Sequence, residues 1–89
     1  MRALFVGGMV DNSELDVDPG ELPTHYPTGG VGRERRYDLY EVGKVDGEPV
    51  YAVYASSGMA GDEIERIIEE REYPRRFGVD GGGERVVRS

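Results

Sequence analysis

Two runs dense in aromatic and β-branched residues, Arg36-Tyr37-Asp38-Leu39-Tyr40-Glu41-Val42 and Val50-Tyr51-Ala52-Val53-Tyr54-Ala55, flank a turn containing Asp46-Gly47. Side chains of this kind fill a pleated surface, and Asp-Gly supplies the positive φ values of a tight hairpin turn. A long β-hairpin follows, and the rest of the fold must be built around it. Gly43 marks a candidate bulge, and Pro49 must avoid a donating position in the ladder.

The flanking segments limit what can pack on this ribbon. Residues 3–6 are wholly apolar and stop at Gly7-Gly8, which reads as a strand ended by residues that tolerate positive φ. Residues 14–18 alternate acid and aliphatic, placing Glu14, Asp16 and Asp18 on a wet face and Leu15 and Val17 on the other, as a hairpin partner of the first strand would. Between residues 19 and 32, Pro19, Pro23 and Pro27 alternate with four glycines, a composition that resists helix and central strand and predicts a long loop. Residues 60–73 put Ala60, Ile64, Ile67, Ile68 and Arg71 at helical spacing. Asp62 and Glu63 fall in the first turn and Pro74 ends the run, so an amphipathic helix should lay its isoleucines on the sheet. The expected fold class is α+β: a small antiparallel sheet of three or four strands with one C-terminal amphipathic helix packed on one face. Residues 1–74 form a single domain, and residues 75–89, with Gly81-Gly82-Gly83 and only Val86 and Val87 as late apolar anchors, form a flexible tail.

Charge narrows the function classes. Eighteen acidic against 11 basic residues give a net charge of −7, which repels a phosphate backbone, so no direct nucleic-acid binding is expected and the favoured partner is a basic protein. The acids fall in two stretches, residues 11–21 and 62–72, separated by the basic Arg33, Arg35 and Arg36. A second arginine group lies at Arg75, Arg76, Arg85 and Arg88, and both groups are equally suited to pairing internally. There is no cysteine, which removes disulfides, thiolate metal sites and cysteine nucleophiles and suits a reducing compartment. No signal-peptide core or membrane span is visible, so a cytoplasmic protein is expected.

Individual motifs point away from catalysis and cofactors. Asp11 to Asp16 crowd oxygen ligands but lack the glycine that a calcium loop needs at its sixth position, so no metal is expected. His25 is the only histidine, and none of the serines lies in a nucleophile-elbow pattern. The glycine clusters lack the lysine and strand-turn-helix setting of a phosphate loop, so no nucleotide cofactor is expected. Two surfaces remain for a protein partner. Tyr37, Tyr40, Tyr51 and Tyr54 either form an exposed aromatic face edged with arginine or pair across the hairpin and pack under the helix. Glu63, Glu69 and Glu70, with Glu65 and Glu72, either present a carboxylate array to a basic partner or form a solvated helix face.

The opening Phe5-Val6-Gly7-Gly8, followed by Asp11 and Glu14-Leu15-Asp16-Val17, the Tyr-rich hairpin and a short terminal helix, resembles small uncharacterised proteins encoded by bacteriophages and prophages. The resemblance implies an accessory protein of a phage or prophage, acting in the host cytoplasm, with no activity to carry over onto any residue. The expected function is a non-enzymatic protein-interaction module, one instance being a modulator of a host factor. The alternative is an assembly subunit that forms a homo-oligomer through an exposed hairpin edge.

Overall fold

The computed structural model describes residues 1–26 and 36–88. The expected hairpin is its centre: β4 (Tyr37–Val45) and β5 (Glu48–Ser56) run antiparallel around Asp46 and Gly47, whose φ values are 54° and 79°. Both lie in the left-handed region, matching a turn whose twist suits the flanking strands. The register shifts between Leu39 and Glu41 and again between Gly43 and Lys44. In the second shift the extra residue is Val50 of β5, so the bulge lies beside Gly43 but on the opposite strand.

Neither edge of the hairpin is free along its middle. On the β5 side, β1 (Arg2–Val6) pairs in parallel, and β2 (Glu14–Asp16) adds antiparallel to β1. On the β4 side, β3 (His25–Tyr26) takes Tyr37 and Asp38, while β6 (Glu84–Val87) takes Glu41 to Lys44. The sheet is therefore mixed and six-stranded, in place of the expected antiparallel sheet of three or four strands. The parallel β1–β5 contact arises because the chain leaves β2, crosses one face of the sheet, and starts the hairpin on the far side. Local turn signals carry no record of that route. The hairpin's own edges are occupied by β1, β3 and β6.

The segment expected as a flexible tail is also structured. Helix α1 (Gly61–Arg71) ends where Glu72 turns left-handed at φ 56°, and a short α2 (Tyr73–Arg76) follows with Pro74 in its first turn. The chain then returns through Val79, 3% exposed, into β6. In the proline-rich stretch, Pro19–Glu21 form a 3-10 turn and His25–Tyr26 a strand. Residues 27–32 of that predicted loop, with Gly29, Gly30 and Gly32, and the adjoining Arg33 and Arg35 lie outside the described residues.

The sheet carries a core on each face. Beneath α1 and α2, Leu4, Val6, Tyr51, Val53 and Ala55 meet Ile64, Ile68, Tyr73 and Val79, with Ile67 at the rim. On the opposite face, Ala3, Phe5, Tyr37, Ala52 and Tyr54 are covered by Val17, Leu22 and Tyr26. Strand alternation sorts residues 51–55 of β5, odd-numbered residues toward the helices and even-numbered ones away, while Val50, at the second register shift, packs on the helix side. Two ion pairs tie the helical end to the β1–β2 turn. Arg71 donates to both oxygens of Asp11 at 2.8 Å, and Arg76 donates to Glu14 at 3.1 Å. The Arg71 hydrogen bond, helped by the Gly7 amide, holds the Asp11 carboxyl below its usual range. No helix among the described residues is long and apolar enough to cross a membrane.

Candidate functional site

The most unusual side chain in the structure is Glu41, which is 0% exposed in an otherwise apolar layer. Its position follows from the first bulge. Leu39 faces Tyr54 and Glu41 faces Val53, so Tyr40 is the extra residue, and the neighbours Tyr40 and Glu41 both project toward α1. Plain alternation would have sent them to opposite faces.

A buried carboxylate must find donors and a cation. Tyr51 donates its hydroxyl to Glu41 Oε2 at 2.6 Å, and Arg85 of β6 donates Nε to Oε1 at 2.9 Å, with a second, shorter contact from a terminal guanidinium nitrogen. That same nitrogen reaches Glu65 of α1 at 2.7 Å, and Tyr40 donates to the other Glu65 oxygen at 2.6 Å. Tyr51, Glu41, Arg85, Glu65 and Tyr40 thus form one continuous polar chain joining β4, β5, β6 and α1. The close approach requires Gly43, because a Cβ there would stand 2.5 Å from Cζ of Tyr51.

The electrostatics follow from this geometry. Burial, then the hydrogen bond to Glu65, pushes the Tyr40 hydroxyl up to about 12. Burial and the bond to Glu41 likewise raise Tyr51. The Glu41 hydrogen bond holds Arg85 firmly protonated against its own desolvation. Burial alone would raise Glu65, but the Tyr40 and Arg85 hydrogen bonds with the Arg85 charge outweigh it, and its carboxyl lies below the ordinary value.

Arg85 and Glu65 form one end of a groove of about 730 Å³ between α1 and the return that runs from Pro74 to β6. Asp62, Glu65, Arg66, Glu69 and Glu72 of the helical stripe line one side, Pro74, Arg75, Asp80 and Arg85 the other, with Ile68 at the base. Glu65 pairs with Arg85, and Glu72 pairs with Arg75 at 2.7 Å. Asp62, Glu69 and Asp80 make no ion pair among the described residues. The groove therefore presents an excess of carboxylate over an apolar base. Among the described residues its lining holds no hydroxyl, imidazole or amine side chain. Among the described residues, no group of three or more His, Cys, Asp and Glu is arranged to hold a metal ion.

The sequence candidates are redistributed by this arrangement. Tyr37, Tyr51 and Tyr54 are buried and Tyr40 is half-buried, so the four do not make a surface. Each hydroxyl has an internal acceptor: Tyr37 donates to Gly7 O at 2.5 Å, Tyr54 to Pro23 O at 2.7 Å, and the other two to the carboxylates above. The exposed aromatic face is thus corrected to two cores, because the sheet is covered on both sides. Of the acidic candidates, Glu69 lines the groove with Asp62, two helical turns away. Glu63 and Glu70, also two turns apart, share a different stripe outside it. His25 sits half-buried in β3 with Nδ1 3.2 Å from the Thr24 hydroxyl, away from the groove. Glu65 was read with the acidic helix face and Arg85 with an arginine group suited to internal pairing, but Glu41 went unsingled in the sequence; its only signal was a glutamate placed inside a hairpin of aromatic and β-branched residues.

Comparison with family models, curated proteins and solved structures returns no match to this chain. The functional reading therefore rests on the residues themselves.

Proposed function

We propose that the chain is a non-enzymatic interaction module whose groove between α1 and residues 74–85 takes a basic segment of a protein partner. The observation that carries the reading is the pair Asp62 and Glu69, exposed carboxylates on the groove side of α1 that make no ion pair among the described residues, even with Arg66 between them in the lining. Seven helical residues separate them, about 10 Å along the axis. A partner segment in the polyproline II conformation offers cations on one face near that spacing when they are three residues apart, since it turns once per three residues and rises about 3.1 Å per residue. Arginine suits the site best, because its stem can lie on Pro74 while its head meets the carboxylates. The setting suggested by the opening strand's resemblance is a phage or prophage accessory protein acting on a basic host factor.

The test is a peptide carrying arginines three residues apart, titrated into the full chain and followed by amide chemical shifts. Shifts should centre on Asp62, Glu69 and Asp80. Asp62→Lys with Glu69→Lys should abolish binding at moderate salt, whereas Glu63→Lys with Glu70→Lys, the same charge change on the other stripe, should leave most of it. Equal loss in both pairs would mean that only net charge is being read, and the groove would carry no specificity.

A further inference from the structure

The strand β6 pairs with β4 on one side, and no other described strand pairs with it on the other. All four of its residues are exposed, Val86 at 44% and Val87 at 47%. Such an edge templates pairing with another strand unless its charges oppose it. The charges of this edge do not oppose a copy of itself.

We infer that β6 pairs antiparallel with β6 of a second copy of this chain, in the register centred on Val86. Two independent features select that partner and that register. The first is backbone parity. The amide of Arg88 donates to Tyr40 O at 2.7 Å, and Val86 lies opposite Val42, so the polar backbone groups of Glu84, Val86 and Arg88 face β4. Those of Arg85 and Val87 then face outward. Antiparallel pairing centred on Val86 sets Arg85 of each copy opposite Val87 of the other, and all of these outward groups are satisfied by exchange of hydrogen bonds.

The second feature is side-chain complementarity. In that register Glu84 of each copy faces Arg88 of the other, and Val86 faces Val86 at a non-hydrogen-bonded position, where side chains approach most closely. Neither Glu84 nor Arg88 makes an ion pair among the described residues. The neighbouring register centred on Arg85 would oppose two guanidiniums instead. The two sheets would join into one, continuous across the two β6 strands. A contact confined to such short strands is smaller than the roughly 1,200 to 2,000 Å² of a stable interface, so the dimer is weak and concentration-dependent.

Sedimentation velocity of the full chain, from roughly 10 μM to 1 mM, tests this. The wild type should shift toward a dimer with rising concentration. Val87→Pro removes only an outward amide, which an edge strand tolerates, and should stay monomeric while keeping the wild-type circular dichroism spectrum. Glu84→Arg should weaken association about tenfold or more by opposing Arg88, and adding Arg88→Glu should restore it. The charge-swap pair keeps the test decisive should Val87→Pro fail to fold. A wild type that remains monomeric throughout, a dimer indifferent to Val87→Pro, or a double swap that fails to recover association would each overturn the inference.

Discussion

On the face away from α1, Tyr37 and Tyr54 donate their hydroxyls to the backbone carbonyls of Gly7 and Pro23; on the face beneath α1, Tyr51 and Tyr40 donate theirs to the carboxylates of Glu41 and Glu65. A carbonyl acceptor is neutral and comes with the covering segment, so the first face is complete once residues 17–26 lie across it. A buried carboxylate brings charge, and charge out of water must be balanced. The second face therefore requires Arg85, 44 residues further along the chain, and with it β6. Two faces of one sheet bury the same kind of side chain, yet only one makes the fold depend on a distant cation and, through Glu65, on pH in the acid range. The charged face is also the one that borders the groove.

The largest expected effect comes from removing that cation. Arg85→Met keeps the apolar stem but leaves Glu41 buried beside Tyr51 alone, and should cost about 3 kcal/mol in urea unfolding, at the low end for a broken buried pair because Arg85 is itself one-third exposed. An unchanged midpoint would show that the two faces do not differ as described. Next in size are the two buried tyrosines. Tyr51→Phe withdraws a hydrogen bond from a buried charge and should cost about 2 kcal/mol, against about 1 kcal/mol for Tyr54→Phe, whose acceptor is a neutral carbonyl. Equal losses would erase the distinction.

The smallest effect is in the pH dependence. Because the folded-state carboxyl of Glu65 is depressed, its contribution is complete above its ordinary 4.5 and is lost as pH falls through the folded value. Glu65→Gln should therefore differ from the wild type near neutrality, by less than about 1 kcal/mol for so exposed a pair, and converge with it below pH 4.5. Alkali should not separate the faces. Tyr40 and Tyr54 are both raised to about 12, chiefly by burial, so each contributes stability below the ordinary 10.0 that disappears as pH climbs through about 12.

Local chemistry made some of this legible in the sequence and hid the rest. The hairpin was readable because Asp46-Gly47 and the aromatic runs act over a few residues, and α1 because Ile64, Ile67 and Ile68 repeat at the helical period. β6 was not, since four residues after Gly81-Gly82-Gly83 are too short to show a period, and its reason for being a strand is a carboxylate in β4. The bulge at Tyr40 was equally hidden, and it reverses the side to which Glu41 points. The tyrosines were recognised as important, but the burial of Tyr37 and Tyr54 depended on residues 17–26 crossing the face away from α1. The acids of α1 were visible as a group; only the path of residues 74–85 separates Glu69 from Glu63 and Glu70.

Both the groove and the edge depend on residues 84–88 being a fixed strand clamped through Arg85. Amide hydrogen exchange of the dilute chain measures this residue by residue. The account predicts slow exchange at Val86 and Arg88, fast exchange at Arg85 and Val87, and collapse of the slow pair to the fast rate in Arg85→Met. Uniformly fast exchange across residues 84–88 in the wild type would contradict it.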